Sequence, residues 1–165
     1  MDRLWAPWRI AYINKIGKQK GCVFCRILKE EKDAANHIFL RRKHTFAVLN
    51  IYPYNNGHVL ILPNRHVGDL EDLERIERDE LLDLLVEVKG MSQSILDPGG
   101  FNVGFNLGRL AGAGFPGHLH IHIVPRWKGD SNFMPVIGGT RVMSQSLNEL
   151  YKRFKKCAQE KKLKS

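Results

Sequence analysis

The stretch Gly117-His118-Leu119-His120-Ile121-His122-Ile123-Val124-Pro125-Arg126-Trp127 decides how this chain is read. Side chains at i, i+2 and i+4 of a strand leave on one face. A strand over His118 to Pro125 therefore lines up His118, His120 and His122 and sends Leu119, Ile121 and Ile123 into a core on the other face. Three of the chain's seven histidines fall here in strict alternation with apolar residues, which argues against a chance cluster of surface histidines. Two readings of the row stay open. Alternating histidines can grip one metal ion, or one of them can act as a nucleophile.

The preceding segment, Gly108 to Gly117, holds four glycines and two alanines in ten positions. Small side chains permit close backbone approach and leave N–H groups to meet an anion. Alone, such a loop is a turn. Beside a row of histidines it forms a phosphate cradle facing a nucleophile. Imidazole suits attack on phosphorus because it is neutral near pH 7 and departs readily from a phosphoramidate.

Outward from this motif, short β-type runs cover His37 to Arg41, Thr45 to Leu49 and His58 to Leu62, the last two parted by the turn Pro53-Tyr54-Asn55-Asn56-Gly57. Phe101 to Leu107 alternates Phe101, Val103, Phe105 and Leu107 with Asn102, Gly104 and Asn106, giving a second strand with one apolar face. A short helix is expected from Cys22 to about Lys32. Leu70, Leu73, Leu81, Leu84, Leu85, Val88, Met91 and Ile95 mark one face of a long amphipathic helix that Pro98-Gly99-Gly100 stops. A last helix covers Met143 to about Lys161. Without βαβ alternation the fold class is α+β, with a mainly antiparallel five-stranded sheet. One domain spans 1–165, with residues 1–21 as an N-terminal arm whose Trp5, Trp8 and Tyr12 pack onto the body, and 151–165 as a basic tail.

Composition narrows the function classes. The chain has 165 residues, 43% hydrophobic and 26% charged, enough for one packed core. No apolar run reaches the roughly 18 residues a membrane span needs, and Met1 to Trp8 has no stretch of signal-peptide type, so a cytoplasmic protein is expected. The net charge is +9, but seven Lys/Arg against Glu160 fall between Tyr151 and Ser165. A solvated helix face explains that run, and nucleic acid is not the expected partner. Cys22 and Cys25 form a C-x-x-C pair, in such a setting a metal or redox element rather than a structural disulfide.

The segment from Gly117 to Trp127 resembles the signature of the histidine triad superfamily of nucleotidyl hydrolases and transferases, His-φ-His-φ-His-φ-φ with φ apolar. Cys22-Val23-Phe24-Cys25-Arg26-Ile27 resembles that family's N-terminal helix, and Leu49 to Pro63 resembles its nucleoside-binding strand pair. Trp5-Ala6-Pro7-Trp8-Arg9 and Trp127 to Val136 resemble the bacterial branch related to diadenosine tetraphosphate phosphorylases. The resemblance implies that His120 is the nucleophile, attacking the α-phosphorus to give a nucleotidyl-histidine. It implies that His122 and His58 contact phosphate or orient His120. Asn106, Ala113 and Gly114 would meet phosphate, Asn50 and Ile51 the ribose and base, and Trp127 belongs with this nucleotide-binding set.

The implied substrate is a purine nucleotide or dinucleoside polyphosphate, with inorganic phosphate as a possible co-substrate. The alternatives are a nucleotide-binding protein with little turnover, or a phosphoramidase or hydrolase with another substrate. Hydrolase branches carry a Gln, Ser or Thr just before the triad, and Ala111 to Gly117 contains none. Family members form two-fold dimers, which would place the long helix and the strand Phe101 to Leu107 at the contact. In zinc-bearing relatives the C-x-x-C pair is joined by a histidine after the second nucleoside strand and by the first triad histidine, here His66 and His118. The alternative for Cys22 and Cys25 is a reduced pair of buried thiols.

Overall fold

The continuous apolar runs Thr45–Leu49 and Val59–Pro63 have no polar face to offer water, so strands built from them must be covered on both sides. The computed structural model, which describes residues 21–130 and 143–163, arranges the chain accordingly. Helix α1 (Val23–Glu30) and a single turn α2 (Asp33–Asn36) lead into strands β1 (Ile38–Arg41), β2 (Thr45–Leu49) and β3 (Val59–Pro63). Helix α3 (Arg75–Leu96), strands β4 (Gly100–Phe105) and β5 (Ile121–Arg126) and helix α4 (Leu147–Lys162) follow. The sheet order is β1-β2-β3-β5-β4, and every neighbouring pair is antiparallel.

Alternation sorts the side chains between two layers. Ala47, Leu49, Val59, Ile61, Ile121 and Ile123 meet Leu84, Val88 and Met91 of α3 and Phe154 of α4. On the opposite face Phe46, Val48, Leu60 and Leu62 meet Phe24 and Ile27 of α1. His122 is paired with Leu60 on β3 and with Gly104 on β4. It therefore stands on the α1 face, and Gly104 beside it carries no side chain.

Several boundaries differ from the sequence expectation, each for a local reason. β5 begins at Ile121, so His118 and His120 lie in the segment just before it rather than within the strand. Pro63, at the end of β3, has no N–H to donate to the ladder, and its carbonyl is taken by the His118 ring at 2.9 Å. Leu119 N–H instead bonds Val67 O at 2.7 Å. The long helix starts at Arg75, not near Leu70. Glu74 and Glu77 form a reciprocal cap there, and Leu70 and Leu73 pack with Val67 and Leu119 in a small separate cluster. β4 stops at Phe105, two residues short of Leu107. α4 starts at Leu147, where Ser146 and Glu149 form a capping box, and continues through most of the basic tail, with Phe154 and Ala158 buried. The Trp5, Trp8 and Tyr12 arm and the segment after Asp130 lie outside the described residues. Among the described residues no helix is long and apolar enough to cross a membrane.

Candidate active site

Cys22 caps the N-terminus of α1, and Cys25 lies at its third helical position, so one turn brings both thiols to the same side. The His66 and His118 rings meet them. Cys22 Sγ lies 3.3 Å and Cys25 Sγ 3.5 Å from His118 Nδ1; Cys25 Sγ and His118 Nδ1 lie 3.4 and 3.3 Å from His66 Nδ1. All four donor atoms fall within 4.8 Å of one another. A tetrahedral zinc with bonds of about 2.0–2.3 Å sets its ligands about 3.3–3.8 Å apart, so the residues fit that ion. His118 donates its Nε2–H to Pro63 O, which leaves the Nδ1 lone pair facing the thiols. Burial lowers the His118 pKa to about 4, which keeps the ring in the neutral form that binds metals. Burial, together with the neighbouring Cys22 thiol, raises the Cys25 pKa, a penalty that a cation would reverse.

Two residues along, His120 makes the opposite choice of nitrogen. Its Nδ1–H donates to His118 O at 2.8 Å, so Nε2 carries the lone pair. Burial lowers its pKa, against the opposing effect of the His118 carbonyl, and the ring is neutral at pH 7. Phe24 of α1 packs on both rings, with centroids 5.5 Å from each. His122 follows, 4.9 Å from His120 between ring centres, and its Nδ1 meets His58 Nε2 at 2.9 Å. Tyr54 lies over this last pair, stacked on His122 at 18° and 5.4 Å.

The turn carrying Tyr54 is fixed at two points. Asn55 Nδ2 donates to Pro125 O and to Asp130, whose carboxyl the Arg126 guanidinium holds far below the usual range. Gly57 has φ +71°, and a β-carbon there would run into Leu96, so glycine is required immediately before His58.

His120 and His122 form part of the wall of a cavity of about 560 Å³. Phe24, Ile27, Val48 and Leu60 make its apolar wall, Asn50, Ile51, Tyr52 and Tyr54 its rim, and Asn106, Gly112 and Gly114 the end beside the histidines. Asn106 Nδ2 donates to Gly112 O at 3.4 Å and ties the glycine loop to the end of β4. Gly112 has φ +87°, a conformation that favours glycine. Of the residues expected at the nucleotide, Asn50, Ile51, Asn106 and Gly114 come together here. Ala113 and Trp127 are missing from the described lining; Trp127 donates its ring N–H to Asp97 O, past the far end of β5. His58 is buried behind His122. The sequence reading missed Phe24, Ile27 and Tyr54 as parts of the site. The i, i+3 spacing of Phe24 and Ile27 in the C-x-x-C helix was the available signal for the first two.

The fold thus sets a row of histidines beside a glycine loop and a cavity, on an α-covered antiparallel sheet. Residues 31–129 match the HIT domain model. Over 157 residues the chain is 38% identical to the AP-4-A phosphorylase of Mycobacterium tuberculosis, covering 90% of this chain and 80% of that protein. Over 95 residues it is 35% identical to the asymmetrical bis(5'-nucleosyl)-tetraphosphatase of Schizosaccharomyces pombe, covering 58% of this chain and 52% of that protein. A Zn-bound histidine triad family protein from Mycobacterium smegmatis shares the fold with a TM-score of 0.71 at 23% identity, over 88% of this chain and 98% of that one. The chain belongs to the HIT family and is an enzyme of that family.

Proposed function

We propose that the enzyme cleaves dinucleoside polyphosphates by nucleotidyl transfer through His120, with inorganic phosphate as the second acceptor. The observation that carries this reading is the His120 Nδ1–H bond to His118 O, which leaves Nε2 as a neutral lone pair beside the cavity. In the first step Nε2 forms a bond to the α-phosphorus. The bond from phosphorus to the bridging oxygen breaks, and that oxygen leaves with the electron pair. The proton stays on Nδ1, where the His118 carbonyl stabilises the charge that develops on the ring. In the second step a phosphate oxygen bonds to phosphorus, the N–P bond breaks and its pair returns to Nε2. From diadenosine tetraphosphate the products are ATP, then ADP.

The glycine loop favours this substrate class over a phosphoramidate. An amine leaving group needs a proton, whereas a polyphosphate departs as a stable anion, and Ala111 to Gly117 offers no hydroxyl or amide side chain. The likeness to the mycobacterial AP-4-A phosphorylase supports the same choice. Asn106 and Gly114 are assigned to phosphate, and Ile51 to the base. Cys22, Cys25, His66 and His118 would hold zinc. When bound it crosslinks α1 to the segment before β5 and takes no part at phosphorus. A second copy of the chain is assigned to the free edge of β4, where Val103, Phe105 and Leu107 are exposed, and to Leu82 and Val86 of α3. A scattering mass of one chain at micromolar concentration would remove that assignment.

Incubation with diadenosine tetraphosphate, with and without phosphate, tests the reaction. ADP and ATP formed only with phosphate supports phosphorolysis. AMP and ATP formed without it replaces phosphorolysis by hydrolysis, and no product under either condition overturns the proposal.

A further inference from the structure

Asn50 is the last residue before the turn that carries Tyr54, and only 9% of it is exposed. Its backbone N–H donates to His58 O at 2.9 Å, so its side chain and the His58 ring lie side by side where β2 and β3 part. The orientation of the Asn50 amide is fixed by a backbone group that can only donate. Tyr52 N–H meets Oδ1 at 2.9 Å, so Nδ2 is the atom 3.3 Å from His58 Nδ1. Tyr54 N–H reaches the same ring nitrogen at 3.0 Å. His58 Nδ1 thus faces two N–H donors and must act as an acceptor.

We infer that Asn50 is a positioning residue for His122, acting through His58 by fixing which nitrogen of each ring carries the proton. With Nδ1 an acceptor, the single proton of His58 sits on Nε2 and is donated to His122 Nδ1 at 2.9 Å. The proton of His122 then sits on Nε2. A second proton on His122 would lie head to head with His58 Nε2–H. A second proton on His58 would face the Asn50 and Tyr54 N–H groups. The pair therefore holds two protons and no charge, and His122 serves phosphate as a neutral N–H donor of fixed direction. Tyr54, with its ring packed on both imidazoles, holds their planes. The inference rests on the proposed reaction only for its kinetic readout.

Asparagine at position 50 differs from aspartate here in one decisive way. A carboxylate keeps an acceptor for Tyr52 N–H and for a ribose hydroxyl, but it draws a proton to His58 Nδ1. Either that proton comes from Nε2, and the Nε2–H that His122 accepts is lost, or it comes from solvent, and the ring becomes a cation; both end the neutral donor state of the pair.

The test uses the full chain with 15N-labelled histidine, whose tautomers are read from long-range proton–nitrogen correlations. The wild-type protein is expected to show Nε2–H on both His58 and His122; an Nδ1–H on His58 overturns the inference without any variant. In Asn50→Asp, His58 is expected to gain a proton at Nδ1. kcat should fall roughly ten- to a hundredfold while the nucleotide KM stays within about threefold. Unchanged tautomers in that variant, or a loss confined to KM, would assign Asn50 to the ribose alone and overturn the inference. Should the wild-type chain show no turnover of dinucleoside polyphosphates, the proposed function fails while the spectra still judge Asn50.

Discussion

At the His118 end of the row both ring nitrogens face groups inside the protein, one the Pro63 carbonyl and the other the thiols, and 1% of the residue is exposed. At the His120 end only Nδ1 is tied, to the carbonyl of His118 itself, and among the described residues nothing hydrogen-bonds Nε2. The two residues have the same side chain, each donates to one backbone carbonyl, and Phe24 packs on both rings. They differ in which nitrogen a backbone oxygen can reach. That choice points a lone pair at the thiols in one case and leaves it at the cavity in the other. A repeated motif thereby turns one end to the thiols and the other to the cavity within one short segment.

The comparison is broken most severely at His120. His120→Ala should reduce kcat by well over a hundredfold while nucleotide still binds, because the slot and the glycine loop survive. Isothermal titration beside steady-state rates separates the two, and retention of more than roughly a hundredth of kcat would move the nucleophile elsewhere. The opposite pattern is expected at the other end. Cys25→Ser should lower the melting temperature by roughly 10 °C or more and abolish a zinc content of about one per chain, as elemental analysis reads it. For the molecules that stay folded, kcat should remain within a few-fold. A variant that kept full stability would leave Cys22 and Cys25 as a pair of buried thiols.

How much of this was legible in the sequence follows from the same physics. Alternation gave the histidine row, and ligand spacing gave the C-x-x-C pair, since both signals are local. The start of β5 was not legible, because it depends on Pro63, more than fifty residues away in sequence, withholding an N–H. Leu70 and Leu73 share the helical spacing of α3, but Glu74 and Glu77 set its start, and the two leucines serve Leu119 instead. Phe24 and Tyr54 joined the site only through tertiary packing. The expected places of Ala113 and Trp127 came from the family resemblance, and the described lining of this chain does not include them.

Smaller effects sharpen the contrast further. Gly57→Ala forces a left-handed φ and a clash with Leu96 next to His58, and should cost roughly 1 kcal/mol or more in denaturant unfolding. Its kcat should fall along with stability, unlike that of Cys25→Ser. The smallest effect is expected at Glu77, which the Arg65 guanidinium holds below the usual carboxylate range, beside the His66 loop. A carboxyl whose pKa is lower when folded adds stability above its unfolded value, near 4.3, and loses it as pH falls through the folded value. Melting temperatures of wild type and Glu77→Gln should therefore differ at pH 7, and the difference should shrink as pH falls below the unfolded value. A difference that does not shrink as the solution is acidified would assign the stabilisation to packing alone.

Pro63 has a consequence for motion as well as for chemistry. Because the β3–β5 ladder stops short of it, at Ile61 and Ile121, the amides of β5 open with the sheet, whereas those of His118 and Leu119 are tied to loops by the isolated bonds to Phe115 and Val67. Hydrogen exchange across this short stretch should fall into two cooperative units, the sheet and the cluster-anchored loop. His120 lies at the boundary between them, directly before the first residue of β5.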